Sequence, residues 1–498
     1  MRSRLPSSAI VFVMASGSAV TACGSEEMFV PELASNERLI EREAVARLGI
    51  DDGGIGQLVV VGDLDGDGID DAIISSVYNV PGQDVQGSTV YVLYGGATVT
   101  GEIGLSTLPS LTGGVFARFS FVGDVDGDGL ADLLAEVLDG AYLVYGRSQR
   151  LTGATPIADA GVFLRDADPN GFPGSVMGLG DLDGDGRADF GIGRPAEYSG
   201  DCSEVFLFYG RRERLSGTLD LASTADAVIS EPMSSWAVRP DLVRAGDVDG
   251  DGYGDFIVDL PIGPFATDVR LVRGGATRLT GTVAADAIAR TRFVDHSRCL
   301  WLDGLGGPLG DLDGDGFDDF ALTSCQDVNG GPGQSPTVQR VFYGRPAGFP
   351  AQVGLGDEDA TLHLTKGTAS RIAGGDVDGD GVRDLIVSDV ALRDANGGVH
   401  VIKGNGVRLS GDLDLGPLGT TYVGMPQRGT RCKYLHSPDC ITHEWLGTDL
   451  GVADLTGDRR VDILIGAPTD EFDTAVLGVH GSGLGHAYLV SPSVGAKP

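Results

Sequence analysis

Short apolar runs recur along this chain, separated by stretches rich in Gly, Asp and other turn formers. Leu58–Val61 and Phe121–Val122 lead into such turns, and Ala72–Ile74, Leu133–Leu134, Phe256–Val258, Leu385–Val387 and Ile463–Ile465 leave them. Runs this brief, built from Val, Ile, Leu and Phe and bounded by Gly and Asp, predict strands rather than helices. Further on come alternating segments, often closed by Tyr-Gly: Val90–Gly95, Tyr142–Gly146, Val205–Gly210, Val269–Gly274, Val341–Gly344 and Val399–Gly404. A fourth β-like stretch follows, as in Thr218–Leu221 and Asp412–Leu415.

The turn between the first two runs is one nonapeptide, written six times. It reads DLDGDGIDD from Asp63, DVDGDGLAD from Asp124, DLDGDGRAD from Asp181, DVDGDGYGD from Asp247, DLDGDGFDD from Asp311 and DVDGDGVRD from Asp376. A degraded seventh copy, DLTGDRRVD, starts at Asp454. The steps between first aspartates are 61, 57, 66, 64, 65 and 78 residues, so seven units fill nearly the whole chain and leave no room for a second domain. A lone four-stranded sheet cannot bury both faces, whereas seven arranged radially do. The prediction is an all-β, seven-bladed β-propeller with calcium-binding loops.

Calcium follows from the nonapeptide itself. Aspartates at positions 1, 3 and 5 alternate with small or turning residues, and glycines at 4 and 6 permit the positive φ of a tight curl. The position-7 carbonyl and position-9 carboxylate complete an oxygen cage of the kind Ca²⁺ takes, with about six to eight oxygens. The expected ligands are Asp63, Asp65, Asp67 and Asp71; Asp124, Asp126, Asp128 and Asp132; Asp181, Asp183, Asp185 and Asp189. They continue with Asp247, Asp249, Asp251 and Asp255; Asp311, Asp313, Asp315 and Asp319; Asp376, Asp378, Asp380 and Asp384. The carbonyls are those of Ile69, Leu130, Arg187, Tyr253, Phe317 and Val382. In the seventh loop Asp454, Asp458 and Asp462 remain, but Thr456 replaces an aspartate and Arg459 and Arg460 bring positive charge. The alternative is an acidic turn that needs no metal.

Charge and composition sharpen this picture. Against 36 Lys+Arg stand 71 Asp+Glu, of which 56 are Asp, for a net charge of −35. Such a chain repels phosphate backbones, which excludes nucleic-acid binding. Few Glu and Lys among 79 Gly argue against long surface helices.

The first residues read as an address. Arg2 and Arg4 precede a short apolar stretch, Ala9 to Val20, and then Val20-Thr21-Ala22-Cys23. The stretch is shorter than the ~20 residues that span a bilayer. The tetrad resembles the bacterial lipobox, which implies that Cys23 is lipidated. Residues 1–22 are thus expected to be a cleaved lipoprotein signal, 23–30 a tether and 31–498 the propeller. Because Gly24 follows the cysteine, the expected location is the cell envelope, as an outer-membrane lipoprotein touching the membrane through its anchor alone.

The units resemble the FG-GAP repeats of integrin α-chains and their bacterial relatives, over nearly the whole mature chain. The Gly-Ala-Pro element is complete at Gly466-Ala467-Pro468 and partial at Gly193-Arg194-Pro195, and Phe116-Ala117, Trp236-Ala237 and Trp445-Leu446 stand near the Phe-Gly position. The resemblance implies that the Asp-rich loops join the first and second strands on the lower face and that their metal is structural. Trp236, Trp301 and Trp445, at similar offsets before their motifs, are expected to pack between blades or to contact a ligand on the upper face.

With Cys23 set aside, Cys299 and Cys325 flank the Asp311 loop and Cys432 and Cys440 bracket a short excursion. Export favours two disulfides, with Cys202 left over. The alternative for the second pair is a zinc site, Cys432-x3-His436-x3-Cys440-x2-His443, whose spacing fits no common pattern. Functionally the sequence points to a non-enzymatic scaffold that binds an extracellular or envelope protein or glycan through its upper loops. The alternative is an enzyme acting on an extracellular polysaccharide or other polymer. The last unit also lacks a fourth strand before the chain ends. Glu32-Leu33-Ala34-Ser35 followed by Ile40 parallels Asp220-Leu221-Ala222-Ser223 followed by Val228, so residues 32–40 are expected to supply the outermost strand of the seventh blade.

Overall fold

The computed structural model describes residues 33–49, 54–79, 86–114, 116–166, 175–194, 202–232, 240–263, 266–294, 306–325, 337–354, 356–364, 371–392, 396–424, 427–428, 441–442, 446–467 and 485–492. Cys23, Cys299, Cys432, Cys440 and the three tryptophans lie outside this set, and Cys325 ends the strand Asp319–Cys325. Cys202 is described as a free thiol, half-buried at the start of its strand.

Each nonapeptide turns the chain between two antiparallel strands. In the third unit Ser175–Gly180 runs into the motif and Asp189–Arg194 leaves it, pairing Gly178 with Phe190. Cys202–Phe208 and Ala227–Pro232 follow as the third and fourth strands. Seven such sheets stand in a ring, numbered here as blades 1 to 7 after their motifs. The second strands are apolar on both faces because each blade is covered by a neighbour on either side: every residue of Asp132–Val137, Asp384–Ser388 and Asp462–Ala467 is buried.

The core is correspondingly divided into seam clusters. Between blades 2 and 3, Leu134 and Leu143 pack on Phe190, Phe206 and Phe208, with Phe190 and Phe208 stacked at 4.7 Å. Fully burying each such side chain contributes about 1.5–3 kcal/mol. Leu48, Ile74, Leu464 and Leu489 fill the seam where blade 7 meets blade 1.

Two expectations need correction. Stretches such as Thr218–Asp220 and Gly411–Asp414 are not fourth strands. They add in parallel to the outer edge of the preceding blade, Thr218–Asp220 on Val162–Arg165 and Gly411–Asp414 on Ala360–His363, so that every blade has five strands. Their residues are largely exposed, whereas the true fourth strand of blade 3, Ala227–Pro232, buries Ala227 and Ile229. An overlapping edge strand covers the hydrogen-bonding groups that a blade would otherwise expose.

Ring closure does use the N-terminal segment, but in a different register. Glu37–Leu39 adds in parallel to Thr420–Val423 of blade 6, and it is Ala46–Gly49 that completes blade 7, antiparallel to His486–Val490 and parallel to Gly101–Gly104. Burial explains the shift. The short helix Ile40–Glu43 buries Ile40 as Leu221–Thr224 buries Leu221, and six residues later Ala46 matches Ala227. The apolar spacing fixes the register; the match between Leu33-Ala34-Ser35 and Leu221-Ala222-Ser223 is a coincidence of three residues.

Candidate metal centre

Six loops share one pattern of internal hydrogen bonds. In blade 1, Asp63 accepts from Gly66 N–H through Oδ1 (2.7 Å) and from Gly68 N–H through Oδ2 (3.0 Å). Asp65 Oδ1 accepts from Asp67 N–H and Asp67 Oδ1 from Ile69 N–H. Asp71, at 0% exposure, accepts from Leu64 N–H (2.8 Å) and from Gly95 N–H (2.9 Å), the glycine of the Tyr-Gly pair. The fixed points recur through Asp124 and Asp132, Asp181 and Asp189, Asp247 and Asp255, Asp311 and Asp319, and Asp376 and Asp384. The position-4 and position-6 glycines have positive φ throughout, as with Gly184 at 75° and Gly186 at 82°. In three loops a side chain at position 4 would also collide with the position-7 residue of the next loop: Leu130 lies over Gly66, Tyr253 over Gly184 and Phe317 over Gly250.

These bonds gather acceptors. Carboxylate oxygens of Asp63, Asp65 and Asp71 lie within 4.8 Å of one another, as do those of Asp124, Asp126 and Asp132; Asp181, Asp183 and Asp189; Asp247, Asp249 and Asp251; and Asp311, Asp313 and Asp315. All-oxygen sets of this kind could hold a hard metal ion. Burial pushes the carboxyls of Asp71, Asp132, Asp189, Asp255 and Asp319 up to about 7, against the pull of their backbone N–H donors. A cation bound beside them would reverse that balance and hold them ionised.

The loops are also joined to one another. Ala131 N–H donates to Asp63 C=O, Ala188 to Asp124, Gly254 to Asp181, Asp318 to Asp247, Val461 to Asp376, and Asp70 to Asp454 across the closure. Besides this belt, the sequence reading missed a set of arginines. Arg150 of the second unit binds Asp65 through Nε and Asp67 through its terminal nitrogen at 2.6 Å, on the Oδ2 oxygens of the preceding unit. It lies over the ring of Tyr94, whose hydroxyl accepts from Leu151 N–H at 2.9 Å. Arg214, Arg278 and Arg408 repeat this clasp on Asp126 and Asp128, Asp183 and Asp185, and Asp313 and Asp315, over Tyr145, Tyr209 and Tyr343. The signal was present as Arg-Leu-Thr/Ser-Gly at Arg150, Arg214, Arg278 and Arg408.

The seventh loop keeps the bonds of its first aspartate, with Asp454 accepting from the N–H groups of Gly457 and Arg459 at 2.7 Å, but departs elsewhere. Position 6 is Arg459, held at φ 68° where the other loops have glycine. Pro492 replaces the glycine N–H that elsewhere donates to the position-9 aspartate, and Asp462 Oδ2 accepts from Thr456 N–H at 2.9 Å instead. Thr456 stands at position 3, and the residue corresponding to the clasping arginine is Thr98.

Several curated relatives match this chain, two of them integrin α-chains. Integrin alpha-PS2 of Drosophila melanogaster is 28% identical over 273 residues, 51% of this chain and 18% of its own length. Integrin alpha-5 of Xenopus laevis is 28% identical over 307 residues, 58% of this chain and 27% of its own. The chain therefore corresponds to about a quarter or less of either relative. No known family description matches it. Among solved structures, the complex of BBS1N with ARL6DN aligns over 88% of this chain and 93% of that one, at 12% identity and a TM-score of 0.38. Repeats, loops and blades together make the chain a seven-bladed, FG-GAP-like β-propeller, similar to integrin α-chains.

Proposed function

We propose that the chain is a calcium-stabilised, non-enzymatic recognition propeller, exported and held at the cell envelope by a lipid on Cys23. Six loops, from Asp63 to Asp384, take calcium; the loop at Asp454–Asp462 does not. Support for calcium is the donor chemistry: carboxylates and a carbonyl with no nitrogen or sulfur, suited to a hard, flexible coordination sphere rather than zinc. The ion would supply charge neutralisation and rigidity, while the chain positions the oxygens and keeps the ninth carboxylate out of water.

One observation carries the recognition reading. The face that bears the nonapeptides is uniform from blade to blade, whereas the opposite connections vary widely. Between second and third strands the chain runs from two residues (Leu138 and Asp139) in blade 2 to eighteen (468–485) in blade 7. Variable loops on a rigid scaffold are where binding diversity is placed. Near that face the described charged groups are occupied by one another: Arg194 pairs with Asp166 at 3.1 Å and with Glu204, and Arg371 with Asp449 at 3.3 Å. The partner is an exported protein or glycan. Shortening 468–485 to two residues should abolish capture of that partner from an envelope fraction while leaving calcium content and melting temperature unchanged. Capture that persists in the shortened protein removes this loop from the reading, and turnover of an envelope polysaccharide by the pure protein replaces it with the enzymatic one.

A further inference from the structure

The clasping arginines divide the oxygens of two aspartates in every loop they touch. In blade 3 the Oδ1 atoms of Asp183 and Asp185 accept loop N–H groups, while both Oδ2 atoms face Arg278. The guanidinium fork therefore fixes the rotation of both carboxylates and leaves one oxygen of each turned into the loop. Because Arg278 belongs to the following repeat, the same contact joins two repeats.

The substitutions among the blades show that aspartates and clasp vary together. In blade 4 the tyrosine position is Arg273 and the arginine position is Gly348. Arg273 reaches Asp249 at 2.5 Å and fills the space where a side chain on Gly348 would stand. In blade 6 Lys403 takes the tyrosine position and binds Asp378 at 2.5 Å. Only where the position-3 aspartate is itself missing, at Thr456, are both partner positions uncharged, Thr98 and Ser491. A cation is thus kept wherever the aspartate is kept, by two different routes.

We propose that each clasping arginine is the outer half of the preceding repeat's cation site, so that an ion bound in one loop orders the repeat that follows. This rests on the calcium reading above. Half-exposed ion pairs contribute little alone, and these arginines are 39–44% exposed. Their effect comes through geometry: an ion on the Oδ1 atoms stops the carboxylates from rotating, which in turn holds the guanidinium, the tyrosine beneath it and the Leu279 N–H bonded to Tyr209. This coupling runs beside the backbone belt at four junctions, from blade 1 to 2, 2 to 3, 3 to 4 and 5 to 6, whereas Arg273 and Lys403 act within their own repeats.

Hydrogen exchange, with and without millimolar calcium, tests this on the intact protein. Calcium should slow exchange in residues 181–189 and also in Gly275–Gly281 of the next repeat, the latter by roughly tenfold, the scale of one charge-assisted hydrogen bond. In Arg278→Gln the first effect should persist in weakened form and the second should vanish, with Arg278→Lys intermediate. If residues 181–189 slow in the wild type while Gly275–Gly281 are unchanged, the coupling is wrong. If Gly275–Gly281 speed up, calcium displaces the clasp instead of completing it. No slowing at residues 181–189 in any protein sinks the calcium reading, and the coupling with it.

Discussion

The loops Asp181–Asp189 and Asp454–Asp462 occupy equivalent places in the same ring, yet differ in most features that concern a cation. The first has four aspartates, glycines where φ is positive, a backbone N–H on each oxygen of Asp189 and an arginine from the next repeat. The second has lost one aspartate, forces Arg459 to φ 68°, meets Pro492 where an N–H should be and faces Thr98 instead of arginine. Its backbone course nevertheless survives, and Leu455 N–H still reaches Asp462 at 3.0 Å. The fold of the turn therefore depends on its first and last aspartates, while the position-3 aspartate, the clasp and the glycine at position 6 are the features that would serve a bound ion.

The largest break in this comparison comes from Asp189→Ala against Asp462→Ala. The first leaves two buried N–H groups, of Leu182 and Gly210, unpaired and removes an ion ligand, for a loss of about 3–5 kcal/mol. The second should cost about 1–3 kcal/mol, and only the first should depend on calcium in thermal melts. Equal losses in both loops, with or without calcium, would erase the distinction.

Blade 7 carries a second weakness at the closure. Arg47 of the N-terminal strand donates to His486 Nε2 at 2.5 Å, and burial depresses the imidazole to about 4. Since the unfolded chain protonates near 6.5, stability is intact above that pH and is lost as pH falls from about 6.5 to about 4, by up to about 3 kcal/mol. His486→Gln should flatten that slope in melts recorded across the window; an unchanged slope would place the acid sensitivity elsewhere.

Rebuilding the seventh loop sharpens the comparison from the other side. Thr98→Arg, Thr456→Asp and Arg459→Gly together should create one additional calcium site and raise stability by about 1–2 kcal/mol in calcium. Arg459→Gly alone should give about 0.5–1 kcal/mol by relieving the left-handed arginine, with no change in calcium content. Melting curves and bound-metal analysis on the same samples separate the two effects.

Much of this was legible in the sequence, for physical reasons that also explain the rest. Strands flanking each motif are buried on both faces, so Ala72–Ile74 or Ile463–Ile465 announce themselves as unbroken apolar runs. The aspartates stand in a fixed spacing because the loop cannot curl otherwise. The parallel edge strands are three or four residues long and mostly exposed, so Thr218–Asp220 has no apolar signature to place it on the preceding blade. At the closure, Ile40 and Ala46 carry the correct register, but the identical tripeptide at Leu33–Ser35 points to a different one. The clasp escaped because Arg150 and Asp65 are 85 residues apart, and a charge total does not say which arginine faces which aspartate.

Equilibrium dialysis against calcium, with thermal melting of the same protein in EDTA and in millimolar calcium, tests the central claim most directly. Six ions per chain, together with a melting temperature markedly lower in EDTA, are expected from the six complete loops. No bound calcium, with coincident melting curves, would mean that the arginine clasps alone neutralise these loops and that the propeller is not a calcium protein.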